Sequence, residues 1–102
     1  MRPILKSDLA TVDKWRAWHG LQPINRRLYP PTGFIIDDVA AGFVTMTDTA
    51  LALVENVITN PRAPVRERDE ALKLIITKLE RTAYDWGYDF IVGITENPKI
   101  GS

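Results

Sequence analysis

One apolar stripe near the C-terminal end constrains this 102-residue chain more than any other feature. Ala71, Leu72, Ile75, Ile76, Leu79, Ala83 and Trp86 recur at intervals of three and four, the spacing that lines up side chains on one face of a helix. Pro64 suits the first turn of that helix, Glu67, Asp69 and Glu70 sit at its positive end, and Gly87 offers a stop. The spacing therefore predicts a helix of about twenty residues. Behind it comes Phe90-Ile91-Val92-Gly93-Ile94, an apolar run that reads as a buried strand, and ahead of it lies a strand-like run from Ala50 to Ile58. A strand, a long helix and a second strand pair the two strands in parallel through a right-handed crossover.

Upstream, Phe34-Ile35-Ile36 and the run from Val39 to Met46 are rich in β-branched and aromatic residues. Asp37-Asp38 and Thr47-Asp48-Thr49 are turn signals between them and the next run, which predicts an antiparallel meander. Nearer the start, Ser7 is a suitable N-cap, and Leu9, Val12, Trp15 and Trp18 keep helical spacing as far as Gly20. A helix over 8–19 is expected, with Asp13, Lys14 and Arg16 on its polar side. From Leu21 to Thr32 the pattern lapses. Pro23, Pro30 and Pro31 break regular structure, leaving room for a helical turn around Asn25 to Leu28. The expected fold class is α+β: one domain, residues 1–102, whose mixed sheet is an antiparallel meander followed by a β-α-β unit.

Composition narrows the chemistry. The absence of cysteine excludes disulfides, thiolate zinc sites and cysteine nucleophiles, and the single histidine, His19, excludes a histidine-rich metal site, so no metal is expected. Thirteen basic and thirteen acidic residues give no net charge, so no global field draws the chain to nucleic acid. Arg26-Arg27 with Tyr29 forms a basic-aromatic cluster, but no nucleic-acid motif surrounds it. Neither the early charges of the N-terminus nor short uncharged runs such as Val39 to Thr47 suit a signal peptide or membrane span, so a cytoplasmic location is expected and no membrane partner.

The element order, with the stretch from Thr59-Asn60-Pro61 to Ala71-Leu72, resembles the GCN5-related N-acetyltransferase superfamily. The resemblance implies that the strand before the long helix offers backbone groups, here those of Val57 and Ile58, to an acetyl thioester. It also implies that the helix start holds the pyrophosphate of coenzyme A, making acetyl-coenzyme A the expected cofactor and a small-molecule or protein amine the acceptor. The general physics agrees, because free amides and the helix dipole favour an anion there. The family's loop reads Arg or Gln, two residues, Gly, one residue, then Gly or Ala, and corresponds here to Arg66-Glu67-Arg68-Asp69-Glu70-Ala71. Arg66 and Ala71 fit that pattern, while Asp69 stands where the first glycine belongs. Family members continue past the second strand with a helix starting near an Asn, which Asn97 matches; here Ser102 follows soon after. The resemblance implies either a C-terminally truncated member or one whose cleft a partner chain completes, similar in style to small chains encoded by bacterial viruses.

Several residues carry two readings each. Glu55, on an alternating strand with Leu51, Leu53 and Val57, is a candidate general base, since apolar surroundings raise a carboxyl's pKa toward one that can take an amine's proton. Otherwise it lies at a solvated sheet margin or pairs with an arginine. Arg62, Arg66 and Arg68 can clamp phosphates or pair with Glu67, Asp69 and Glu70 at the surface. Asn97 meets the pantetheine arm or forms an Asn-Pro turn. Trp15 and Trp18 read as core or interface anchors, and Asn25, Arg26, Arg27 and Tyr29 as candidates to line an acceptor pocket. Two functions follow: an amine acetyltransferase, or a non-catalytic module of the same fold that binds another protein or a second copy.

Overall fold

In the computed structural model, which describes residues 1–94, the alternating runs become strands and the three-four spacing becomes a long helix. The elements are β1 (Arg2–Pro3), α1 (Leu9–Trp18), β2 (Thr32–Ile36), β3 (Ala40–Met46), β4 (Leu51–Thr59), α2 (Val65–Asp85) and β5 (Phe90–Gly93), with 3-10 turns at Lys6–Asp8 and Arg26–Leu28. The strands form one mixed sheet in the order β1-β2-β3-β4-β5. β1 to β4 are antiparallel neighbours, whereas β5 returns parallel to β4, from Leu51 opposite Phe90 to Val54 opposite Gly93. The expected α+β class, meander and β-α-β unit are all present.

One helix covers each face of the sheet. Ala71, Ile75, Leu79 and Ala83 of α2 pack against Ala40, Val44, Ala52 and Val54. On the opposite face, Val12 and Trp15 of α1 join Tyr29, Ile35, Ala41, Phe43 and Ile58. β3 thus sends alternate side chains into two cores, which explains why its sequence is uncharged throughout and mostly apolar. Burial of Ile75 and Leu79 contributes on the order of 1.5–3 kcal/mol each.

Both helices stop by the same device. Gly20 and Gly87 adopt positive φ, and the two residues after them, Leu21 and Tyr88, return amide bonds to Arg16 and Ala83. Because α2 ends there, Trp86 falls at its cap and is exposed rather than part of the apolar stripe. The start of α1 also differs from expectation. Ser7 does not cap it; the Asp8 carboxylate accepts from the Leu5 amide at 2.7 Å and from the Arg2 guanidinium at 2.7 and 2.8 Å, closing the 3-10 turn instead.

The sheet carries one irregularity that matters for the rest. Ala41 pairs with Ile58 and Phe43 with Glu55, so two residues of β4, Asn56 and Val57, face Gly42 alone. Asn56 takes φ 51°, a left-handed conformation that asparagine tolerates, and forms a bulge. The extra residue inverts the alternation. Val57 packs with Val54 on the α2 face, while Glu55 and Ile58 lie on the α1 face. Glu55 therefore shares a face with Leu51 and Leu53, as expected, but not with Val57.

Candidate functional site

Glu55 sits on β4 immediately before the bulge, half-buried, and its Oε1 accepts a 2.9 Å bond from the Thr45 hydroxyl. Among the described residues it has no cationic partner. The carboxylate opens into a cleft of about 370 Å³ whose walls include Arg27, Leu28, Pro31, Thr45 and Met46. One wall is the irregular segment after α1, and its placement follows from local bonds. The Asn25 side chain accepts from the Arg27 amide at 2.9 Å and caps the 3-10 turn. Tyr29 stacks on Phe43 with ring centres 5.1 Å apart and donates its hydroxyl to Asp13 at 2.6 Å. Burial, then the bond to Asp13, pushes the Tyr29 hydroxyl well above its ordinary pKa. Of the four residues expected to line an acceptor pocket, Arg27 and Tyr29 line this cleft; Asn25 forms the turn, and Arg26 is held by Asp13 at 3.1 Å.

Arg16 differs most from its expected place. Far from the polar side of α1, it is 2% exposed and bonds the Asn56 side-chain oxygen at 3.1 Å and the Gln22 carbonyl at 2.8 Å. It ties α1 and the following loop to the bulge beside Glu55. The signal was present in the spacing, because Arg16 follows Leu9 and Val12 at seven and four residues, on the apolar stripe rather than opposite it. Its charge concealed that position.

The second half of the site lies where β4 passes into α2. Asn60 fixes the connection, donating its amide to Val39 O at 2.8 Å and its Nδ2 to Asp38 O at 2.9 Å. His19 bonds the Thr59 carbonyl at 2.9 Å through Nε2, which requires the tautomer protonated there. α2 begins behind Pro64 with no side-chain cap, and the first bond of the helix runs from the Arg68 amide to Pro64 O. The amides of Val65, Arg66 and Glu67 consequently have no acceptor within the helix.

The three arginines expected at a phosphate are dispersed. Arg62 lies over Trp18, its Cζ 3.8 Å from the ring centre, a contact worth about 0.5–1 kcal/mol at an exposed site. Arg66 pairs with Glu70 at 3.5 Å in full solvent exposure. Arg68 is half-buried, and its Nε is shielded from water with no hydrogen-bond partner. Ala71 turns into the core beneath α2. The Val57 and Ile58 side chains are taken up by the two cores, leaving their backbones to the site. Asn97 lies outside the described residues.

β5 follows β4 as far as Val54, whose carbonyl accepts from the Ile94 amide at 2.8 Å. From Glu55 onward β4 has no strand partner on that side among the described residues. Among the same residues, no group of acidic and histidine side chains is placed to hold a metal ion, and no helix is long and apolar enough to cross a membrane. Compared with family models, curated proteins and solved structures, the chain matches none.

Proposed function

We propose that this protein is an acetyl-coenzyme A-dependent N-acetyltransferase that passes an acetyl group to an amine. One observation carries the reading: at the bulge, a half-buried carboxylate adjoins a stretch of β4 backbone that has, among the described residues, no strand partner toward β5, and that stretch leads directly to the uncapped start of α2.

Coenzyme A suits the α2 end on two counts. Three amides at the positive end of a 21-residue helix lack acceptors, and the buried Arg68 Nε is an unsatisfied donor, the kind of group an anionic oxygen would complete. Glu67 and Asp69 oppose it, but both are exposed, where repulsion between unit charges at about 4 Å is only about 1 kcal/mol. Arg68 and the amides of Val65 to Glu67 would hold the pyrophosphate, and the Val57 and Ile58 backbones the pantetheine arm. Bound there, the cofactor supplies an acetyl group activated as a thioester. Glu55 would accept the proton the amine gives up, with the Thr45 hydroxyl fixing its orientation; a positioned base of this kind contributes roughly 10²–10⁴-fold.

Calorimetric titration with acetyl-coenzyme A, followed by acetylation assays on an amine panel, tests this function. Glu55→Gln is expected to keep cofactor binding and lose about 10²–10⁴-fold in kcat. No heat and no thermal shift at millimolar acetyl-coenzyme A would remove the enzyme from consideration.

A second reading has its own support. Among the described residues β5 is an edge strand, and Phe90 and Val92 on it and Ile94 just after it are all exposed, the kind of surface that seeks another chain. As a non-catalytic binding module, the protein would self-associate or capture a partner through that edge. A strict monomer by sedimentation, with Val92→Lys changing no association, would count against it.

A further inference from the structure

We propose that the cleft over Glu55 binds a small zwitterion with an apolar body, an apolar α-amino acid being the type, its ammonium at Glu55 and its carboxylate at Arg27. This names the acceptor within the function proposed above and shares with it only Glu55. The cleft itself would take its ligand with or without a thioester bound.

Size comes first. About 370 Å³ falls within the usual range for small-molecule sites and, at about 30 Å³ per water, equals about a dozen water-sized volumes. A leucine or phenylalanine fits that space. Polarity comes next. Leu28, Pro31 and Met46 give an apolar wall, and Leu28 is 68% exposed, a large apolar side chain that a ligand's carbon body would cover.

Charge decides the class. Two formal charges line the cleft, and neither is ion-paired among the described residues. Among the described residues Glu55 has a hydroxyl as its one partner, and a half-buried carboxylate against apolar walls favours a cation that can bond it. Arg27, exposed at the rim, has no ion pair among the described residues, unlike its neighbour Arg26, which Asp13 holds. A simple amine would satisfy Glu55 and leave Arg27 facing a like charge; a simple carboxylate would do the reverse. A ligand carrying both groups answers both. With one end exposed to water, affinity in the millimolar range is expected.

The test is a backbone-amide NMR titration of the full chain without acetyl-coenzyme A, using L-phenylalanine, phenethylamine, which lacks the carboxylate, and 3-phenylpropionate, which lacks the ammonium. Saturable shifts at Thr45, Met46 and Glu55 are expected for phenylalanine, with each analogue about tenfold weaker or more. Glu55→Gln, isosteric and still able to accept from Thr45, should weaken phenylalanine about tenfold. Arg27→Gln should weaken phenylalanine similarly while phenethylamine, freed of a like charge, binds no more weakly than before. No saturable shift with phenylalanine, unchanged binding in a folded Glu55→Gln protein, or phenethylamine binding as well as phenylalanine would each overturn the assignment. None of these outcomes depends on cofactor binding, so failure here and failure of the acetyltransferase function are separately visible.

Discussion

Gly42 lets α2 rest on the sheet, and replacing it by alanine is the sharpest test of that packing. A Cβ there would stand 2.8 Å from Ile75 Cγ2, 3.0 Å from Leu79 Cδ1 and 3.2 Å from Val57 Cγ2. All three atoms belong to packed core side chains, so none can swing into water to make room. Overpacking of this sort costs about 1–3 kcal/mol, whereas the stiffer unfolded chain of an alanine variant returns about 0.4–1 kcal/mol. The net expectation for Gly42→Ala is a loss of about 1–2 kcal/mol, or about 5–15 °C in Tm for a domain of this size. Gly93→Ala is the matched control. It adds the same methyl to another strand, but with nothing within 4 Å, and should be neutral or slightly stabilising. Thermal denaturation followed by circular dichroism reads both variants. Equal effects at the two positions would refute the close approach of α2, because the unfolded-state contribution is common to both.

Three further outcomes follow from the site. Arg16→Met strips a buried donor from Asn56 Oδ1 and Gln22 O and should cost about 2–4 kcal/mol in urea unfolding; Arg16→Lys should restore little, since a point charge cannot span two acceptors, and a loss below about 0.5 kcal/mol would contradict the proposed tie. The Arg2 guanidinium, then the Leu5 amide, lower the Asp8 pKa to about 2, so the pair's contribution is complete above about pH 4 and disappears as pH falls toward 2. The Tm gap between wild type and Asp8→Asn should therefore close over that interval and shrink with salt; a gap independent of pH would exclude the pair as its source. Tyr29 has the opposite sign: burial raises its pKa, so its contribution is intact below about pH 10 and declines above, and Tyr29→Phe should flatten the alkaline fall in urea midpoint that the wild type shows.

What the sequence reveals and what it hides divide along a physical line. The α2 stripe, the glycine stops and the uncharged β3 are legible because each follows from a local period or from burial on both faces, which a sequence displays directly. Arg16 was hidden by its charge, although its spacing from Val12 placed it inward. The bulge is of another kind. Asn56 tolerates a left-handed φ, but an asparagine within a strand pattern does not announce one. The extra residue can be seen only once Gly42 is opposite it, with α2 pressed against that glycine. Strict alternation would have kept Glu55 and Val57 together. In the fold, the inserted residue sends Val57 under α2 and leaves Glu55 on the other face, facing the cleft beside Arg27. The position of the candidate base is therefore a tertiary feature, set by a bulge that forms where Gly42, packed beneath α2, faces two residues of β4.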